Sequence, residues 1–232
     1  MKAMWKQVVI GIGCAGAAAL ACATPGLTDT ENRWLDLAAP ALRYAREQKL
    51  PLDIVVQPQP TPGYAPLAMA FIDGRCKLVL SMRGNPEAQS TLDEIEPELL
   101  APVVEAMTAH EIGHCWRYVR GAWNTVPAGF VDHKTDDADE LADAKHQMAS
   151  TRREEGFADL VGLAWTRRAH PALYARVHTW FAHFRADEAT PGSHHDTVAW
   201  IRLAEGREAF GSDDSLFDQA WPLWQRGLFE AR

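Results

Sequence analysis

The pentapeptide His110-Glu111-Ile112-Gly113-His114 is the part of this 232-residue chain whose residue types and spacing point most directly to chemistry. Residues four apart on a helix lie on one face, about one turn from each other, so His110 and His114 can hold one metal ion between them. Glu111 sits beside that face, where its carboxylate can take a proton from a water at the metal. A catalytic zinc takes three protein ligands and keeps a fourth position for water. The third ligand is to be sought downstream, in Glu154-Glu155-Gly156-Phe157-Ala158-Asp159. On a helix Glu155 and Asp159 share a face, so one can bind metal while the other receives the free N–H of a ligating imidazole. The competing reading of this stretch is an acidic cap, with Glu154 and Glu155 at a helix start.

Helices are needed to carry these groups. Val103, Val104, Met107 and Ile112 supply the apolar positions of a long helix predicted over 98–119, and a second helix is predicted over 154–169. Ahead of them, Leu35, Leu37, Leu42 and Tyr44 mark an amphipathic helix over 28–48, with Asp29 or Thr30 as its cap. A short strand over 52–56 runs into a proline-rich loop. A hairpin follows, with strands over 67–72 and 77–82 around an Asp73-Gly74 turn. Further helices are predicted over 171–186, 197–209 and 214–229, with a loop over 190–195. The polar stretch 121–150, with His133, Asp136, Asp137, Asp139 and His146, reads as a solvated insert or a lid. The expected architecture is α+β: a small antiparallel sheet packed against a mainly helical body that carries the active-site helix. The strand over 77–82 could present an edge on which an extended peptide is held.

Composition narrows the partners. The formal net charge is −8 and no Lys/Arg run occurs, which argues against nucleic acid. Nine tryptophans are many, and such rings fill a core or line a groove. Met1 to Lys6 carries two lysines, 8–21 is apolar or small, and Ala21-Cys22-Ala23 offers small residues for cleavage, so 1–23 reads as a secretory signal peptide. An uncleaved anchor and lipid attachment at Cys22 are the alternatives. The body 24–232 is then a single domain, exported to the periplasm or cell envelope, touching membrane only through the leader or a lipid on Cys22. Cys14 and Cys22 belong to the leader, leaving Cys76 and Cys115 either as one disulfide or as two buried thiols.

HExxH followed by ExxxD resembles the gluzincin zinc metallopeptidases. Within them, the order of hairpin, active-site helix, ExxxD helix and late histidine loop is similar to the CaaX prenyl endopeptidases and HtpX-type heat-shock proteases, over about 65–205. Ala68-Met69-Ala70-Phe71 through Lys77-Leu78-Val79-Leu80 resembles the family's strand pair, and Ser193-His194-His195-Asp196-Thr197 with Ile201-Arg202 its late histidine segment. Asp196 stands where that segment has proline, and Thr197 comes one position early. The metzincin pattern is excluded, because Arg117 and Arg120 occupy the positions of its glycine and third histidine.

The resemblance implies a zincin-like fold and one Zn2+ per chain, held by His110, His114 and Glu155 with Asp159 supporting a ligand. It also implies Glu111 as general base and His195, or else His194, as donor to the oxyanion, with Tyr118 or a nearby arginine next in line. The expected function is zinc-dependent hydrolysis of peptide or protein substrates of the envelope, an endopeptidase ahead of an exopeptidase. A non-catalytic zinc-binding holdase or scaffold, and a zinc hydrolase of another amide or ester, are the alternatives.

Overall fold

The computed structural model describes residues 26–57, 65–130, 140–188, 190 and 192–230. The leader expected over 1–23, with Cys14 and Cys22, lies outside the described residues, as do His133, Asp136, Asp137 and Asp139.

Helix α1 (Asp29–Glu47) is capped by Thr28, one residue before Asp29 and two before Thr30, the expected caps. Thr28 Oγ1 accepts from the Glu31 N–H at 3.2 Å, and the Thr28 N–H donates to Glu31 Oε2 at 2.8 Å, a reciprocal capping box. Strands β1 (Leu52–Val56), β2 (Leu67–Ile72) and β3 (Arg75–Leu80) follow. Asp73 and Gly74 have φ of +52° and +74°, the left-handed pair that a two-residue hairpin turn requires. The sheet is mixed, not antiparallel as expected. Its order is β1-β3-β2, with β1 parallel to β3 and β2 antiparallel to it. β3 is therefore the central strand, paired on both sides, and cannot offer the edge expected of it. Among the described residues the edges are β1 and β2, and β2 is the one that packs more closely on α3.

Helix α2 (Pro86–Glu94) lies between the hairpin and the helix predicted over 98–119, where no element is expected. Asn85 caps the helix, accepting from the Glu87 N–H at 3.1 Å, with Pro86 in the first helical position. Helix α3 (Leu100–Val119) carries the HExxH residues. Helix α4 (Glu140–Ala169) is 30 residues long and absorbs the second part of the stretch read as an insert. That part lacks apolar periodicity but is rich in good helix formers. Helix α5 (Tyr174–Glu188) follows, and the helix expected over 197–209 divides into α6 (Val198–Leu203) and a 3-10 turn at Arg207–Ala209. Helix α7 (Leu216–Glu230) ends the described chain.

Two apolar cores meet along α3. Val104 joins Trp34, Leu42, Leu78, Leu80 and Leu92 between the sheet, α1 and α2. Val103 and Ile112 join Phe157, Leu160, Phe181, Trp200 and Trp224 among the later helices. Trp34, Trp200 and Trp224 are fully buried, so tryptophan here serves packing first. α3 and α4 make the most extensive contact in the fold, and glycine permits it. A Cβ on Gly113 would lie 3.2 Å from the Ala158 Cα, and one on Gly162 only 2.8 Å from the Ala106 carbonyl oxygen. Cys76 of β3 and Cys115 of α3 form a disulfide, with Cα atoms 5.6 Å apart, which fastens the residue after His114 to the central strand.

Candidate metal centre

α3 presents His110 and His114 toward α4, which returns Glu155 to them one helix away. Among the described residues, His110, His114 and Glu155 form a group whose ligand atoms all lie within 4.8 Å of one another, and this group can hold a metal ion. The two Nε2 atoms are 3.1 Å apart. Glu155 Oε2 is 3.4 Å from His110 Nε2, and its Oε1 is 3.4 Å from His114 Nε2. Both histidines are buried. Two imidazole nitrogens this close, with a carboxylate against both, call for a cation among them, whether proton or metal.

Asp159, one helical turn beyond Glu155, supports His110. Its Oδ1 is 2.8 Å from His110 Nδ1, which fixes the proton on Nδ1 and turns the Nε2 lone pair toward the group. Of the two roles open to Glu155 and Asp159, the structure places Glu155 at the donor cluster and Asp159 behind it. Glu154, the third acidic side chain, is no helix cap. It is buried, accepting from Arg117 Nη2 at 2.7 Å and Nε at 2.9 Å. His114 is oriented differently, because its Nδ1 has no hydrogen-bond partner among the described residues. Its ring is packed edge-on between His110, 4.7 Å away, and Trp123, 5.5 Å away, centroid to centroid.

No protein-family model, curated protein or solved structure gives a significant match to this chain.

Burial opposes charge on His110, but the carboxylates of Asp159 and Glu155 outweigh it and raise its pKa to about 10. Burial also opposes charge on Glu155 and Asp159. His114 and His110 nevertheless hold the Glu155 carboxyl well below its usual range, and Arg185 and His110 do the same for Asp159. Glu111 moves the other way: burial pushes its pKa up, only partly offset by the charges of His110 and His114. Among Glu111, Glu155 and Asp159, Glu111 is thus the carboxyl whose pKa is raised and not lowered.

The late histidine loop comes to the same place. Thr197, at the start of α6, directs its hydroxyl to Asp159 Oδ2 at 2.5 Å instead of capping its own helix. Asp196, where the resembled family has proline, closes the loop by accepting from the Gly192 N–H at 2.8 Å. His195 is half-buried, and burial together with Arg185 lowers its pKa to about 4, against the opposing pull of Glu155. His194 packs against His195, with ring centroids 4.0 Å apart.

Two residues have supporting roles that sequence reasoning does not reach. Arg185 of α5 donates from Nε to Asp159 Oδ2 at 2.9 Å, and from Nη2 to Asp159 Oδ1 at 2.8 Å and Glu155 Oε2 at 3.3 Å. Thr197 is the other. Both meet Asp159 only through the packing of α5 and α6 on α4, so no local spacing announces them. An open hollow of about 550 Å³ lined by Arg167, Arg168, Arg207, Glu208 and Asp213 shares no residue with this group.

Proposed function

We infer that this chain is a zinc metallopeptidase of gluzincin type, and that its resemblance to the CaaX prenyl endopeptidases and HtpX-type proteases reflects that chemistry. One observation carries the reading. The two Nε2 atoms lie 3.1 Å apart, close to the edge of about 3.3 Å expected for a tetrahedral site with zinc-like bonds, and each faces a different oxygen of Glu155 at 3.4 Å. The set of two imidazoles and one carboxylate leaves a fourth position for water, as catalytic zinc sites do.

When bound, zinc supplies Lewis acidity and a water nucleophile available near neutral pH. The chain's own residues do the rest. Asp159 fixes the His110 tautomer, and Arg185 and Thr197 fix Asp159. Glu111, its pKa raised by burial, takes the proton of the attacking water and passes it to the leaving amine nitrogen. His195, neutral at pH 7, offers an N–H to the carbonyl oxygen as negative charge develops there. His194 stands behind it. The β2 edge holds the substrate backbone extended. A structural zinc site would have no use for a proton-exchanging carboxyl beside the donors, which favours catalysis over a scaffold role.

Export to the envelope belongs to the same proposal. The Cys76–Cys115 disulfide supports it, because such bonds persist in oxidising compartments. Among the described residues, no helix is long and apolar enough to cross a membrane. The test is metal analysis of purified protein together with digestion of casein, with and without a chelator. One zinc per chain and chelator-sensitive cleavage are expected. Stoichiometric zinc without cleavage would favour the scaffold reading.

A further inference from the structure

Beside the donor group stands a wall of aromatic rings. Phe71 of β2 stacks on Tyr118 of α3 with centroids 4.1 Å apart. Trp123, in the turn after α3, meets Phe71 edge-on at 5.0 Å and His114 at 5.5 Å. The three rings come from a strand, a helix end and a turn, so they adjoin only in the folded chain. All three are half-buried, unlike the sealed rings of Phe157, Phe217 and Trp224. Half-buried rings packed against one another and against a candidate metal ligand offer an apolar group a place to bind.

The wall is fixed from behind. Asn124 adopts φ of +59°, and its N–H donates to Glu154 Oε1 at 2.9 Å. Arg117, paired with Glu154, also donates from Nη2 to the Thr125 carbonyl at 2.9 Å. Arg117 and Glu154 are fully buried. A buried ion pair is a weak source of stability, so its visible effect here is geometric: it pins the turn that presents Trp123. A pinned indole loses little freedom on binding, which favours affinity.

β2 is the edge strand beside α3, and an added strand places every second side chain on one sheet face. Phe71 ends the Leu67, Met69, Phe71 face of β2, so a peptide along that edge brings a side chain against the wall. We propose that Phe71, Tyr118 and Trp123 form a specificity subsite for a large apolar side chain, aromatic by preference, next to the bond being cleaved. This inference rests on the metallopeptidase reading and adds a substrate class to it. Edge-on and offset contacts between rings explain the aromatic preference.

The test is calorimetric binding to zinc-loaded protein, free of any need for turnover. The probes are acetohydroxamate and two hydroxamate series, N-acetyl-aminoacyl and 2-substituted succinyl, each with a benzyl or a methyl side chain. One series reaches each side of the scissile bond. In the wild type, benzyl should bind at least tenfold more tightly than methyl in one series, and the ratio should fall to within about twofold in Trp123→Ala. Phe71→Ala should reduce it in the same direction. Because the ratio is taken within each variant, a change in zinc affinity cancels. Equal affinities for benzyl and methyl in the wild type, or a ratio preserved in both variants, would overturn the subsite. Failure of acetohydroxamate itself to bind would overturn the metal reading, and the subsite with it.

Discussion

Arg185 and Asp159 are joined by two hydrogen bonds, Nε to Oδ2 at 2.9 Å and Nη2 to Oδ1 at 2.8 Å, and the same carboxylate meets His110 Nδ1 at 2.8 Å. The orientation of a metal donor on α3 thus depends on an arginine of α5, relayed through an aspartate of α4. With three carboxylates in the cluster, the guanidinium also supplies a fixed positive charge beside the one a metal would bring.

Arg185→Met should therefore weaken zinc binding by about 10- to 100-fold, the usual effect of losing an outer partner of a ligand. Competition with a chromophoric chelator measures this, with circular dichroism reporting the fold. Thr197→Val removes one of the bonds to Asp159 and should act in the same direction more weakly. Zinc affinity unchanged in Arg185→Met would show that Asp159 holds His110 unaided.

The disulfide closes a loop spanning 39 residues between β3 and the residue after His114. Chain-entropy arguments put its stabilisation at about 4 kcal/mol. Reduction, or the double substitution Cys76→Ala with Cys115→Ala, should lower Tm by well over 5 °C. A Tm that does not respond would mean that α3 is held by packing alone.

Glu31 gives a pH dependence far from the site. Its hydrogen bond with Arg83 leads the effects on it, and with the Thr28 cap it holds the carboxyl below the usual range in spite of burial. A depressed folded-state pKa means stability that is complete above the unfolded value of about 4.5 and is lost as pH falls through the folded value. Glu31→Gln should thus lower Tm at pH 7, and the difference from wild type should shrink below about pH 4. A difference that stays constant down to pH 3 would contradict the ion pair.

The α3–α4 approach makes its own prediction. In Gly162→Ala the new Cβ would meet the Ala106 carbonyl oxygen at 2.8 Å, backbone against side chain with nothing flexible to yield. The cost should be about 1–3 kcal/mol, read as a fall in Tm, together with looser metal binding as the helices part. Unaltered stability would show that the two helices can slide without loss.

The legible parts of this molecule are those written in local spacing. His110, His114, Glu155 and Asp159 are four apart in pairs, and helical geometry alone brings each pair to one face. The Asp73-Gly74 turn is equally local, because few residues accept two consecutive left-handed conformations. Strand order was not legible, since β1 reaches β3 past β2 and no period in the sequence encodes which edge it joins. Helix α4 runs longer than expected because propensity without an apolar stripe looks like a solvated segment. Arg185 and Trp123 carry no signature of their own, Thr197 is marked only by its place after the late histidines, and only the docking of α5, α6 and the turn after α3 gives them partners.

The claim at the centre of this account is that Glu111 moves the proton while His110, His114 and Glu155 hold the metal. Glu111→Gln keeps the size of the side chain and removes its basicity, so zinc content and peptide turnover should be measured on the same preparation. The account predicts zinc retained near one per chain, with kcat on a cleaved peptide reduced by at least about 100-fold. Turnover close to wild type with the metal in place would contradict it.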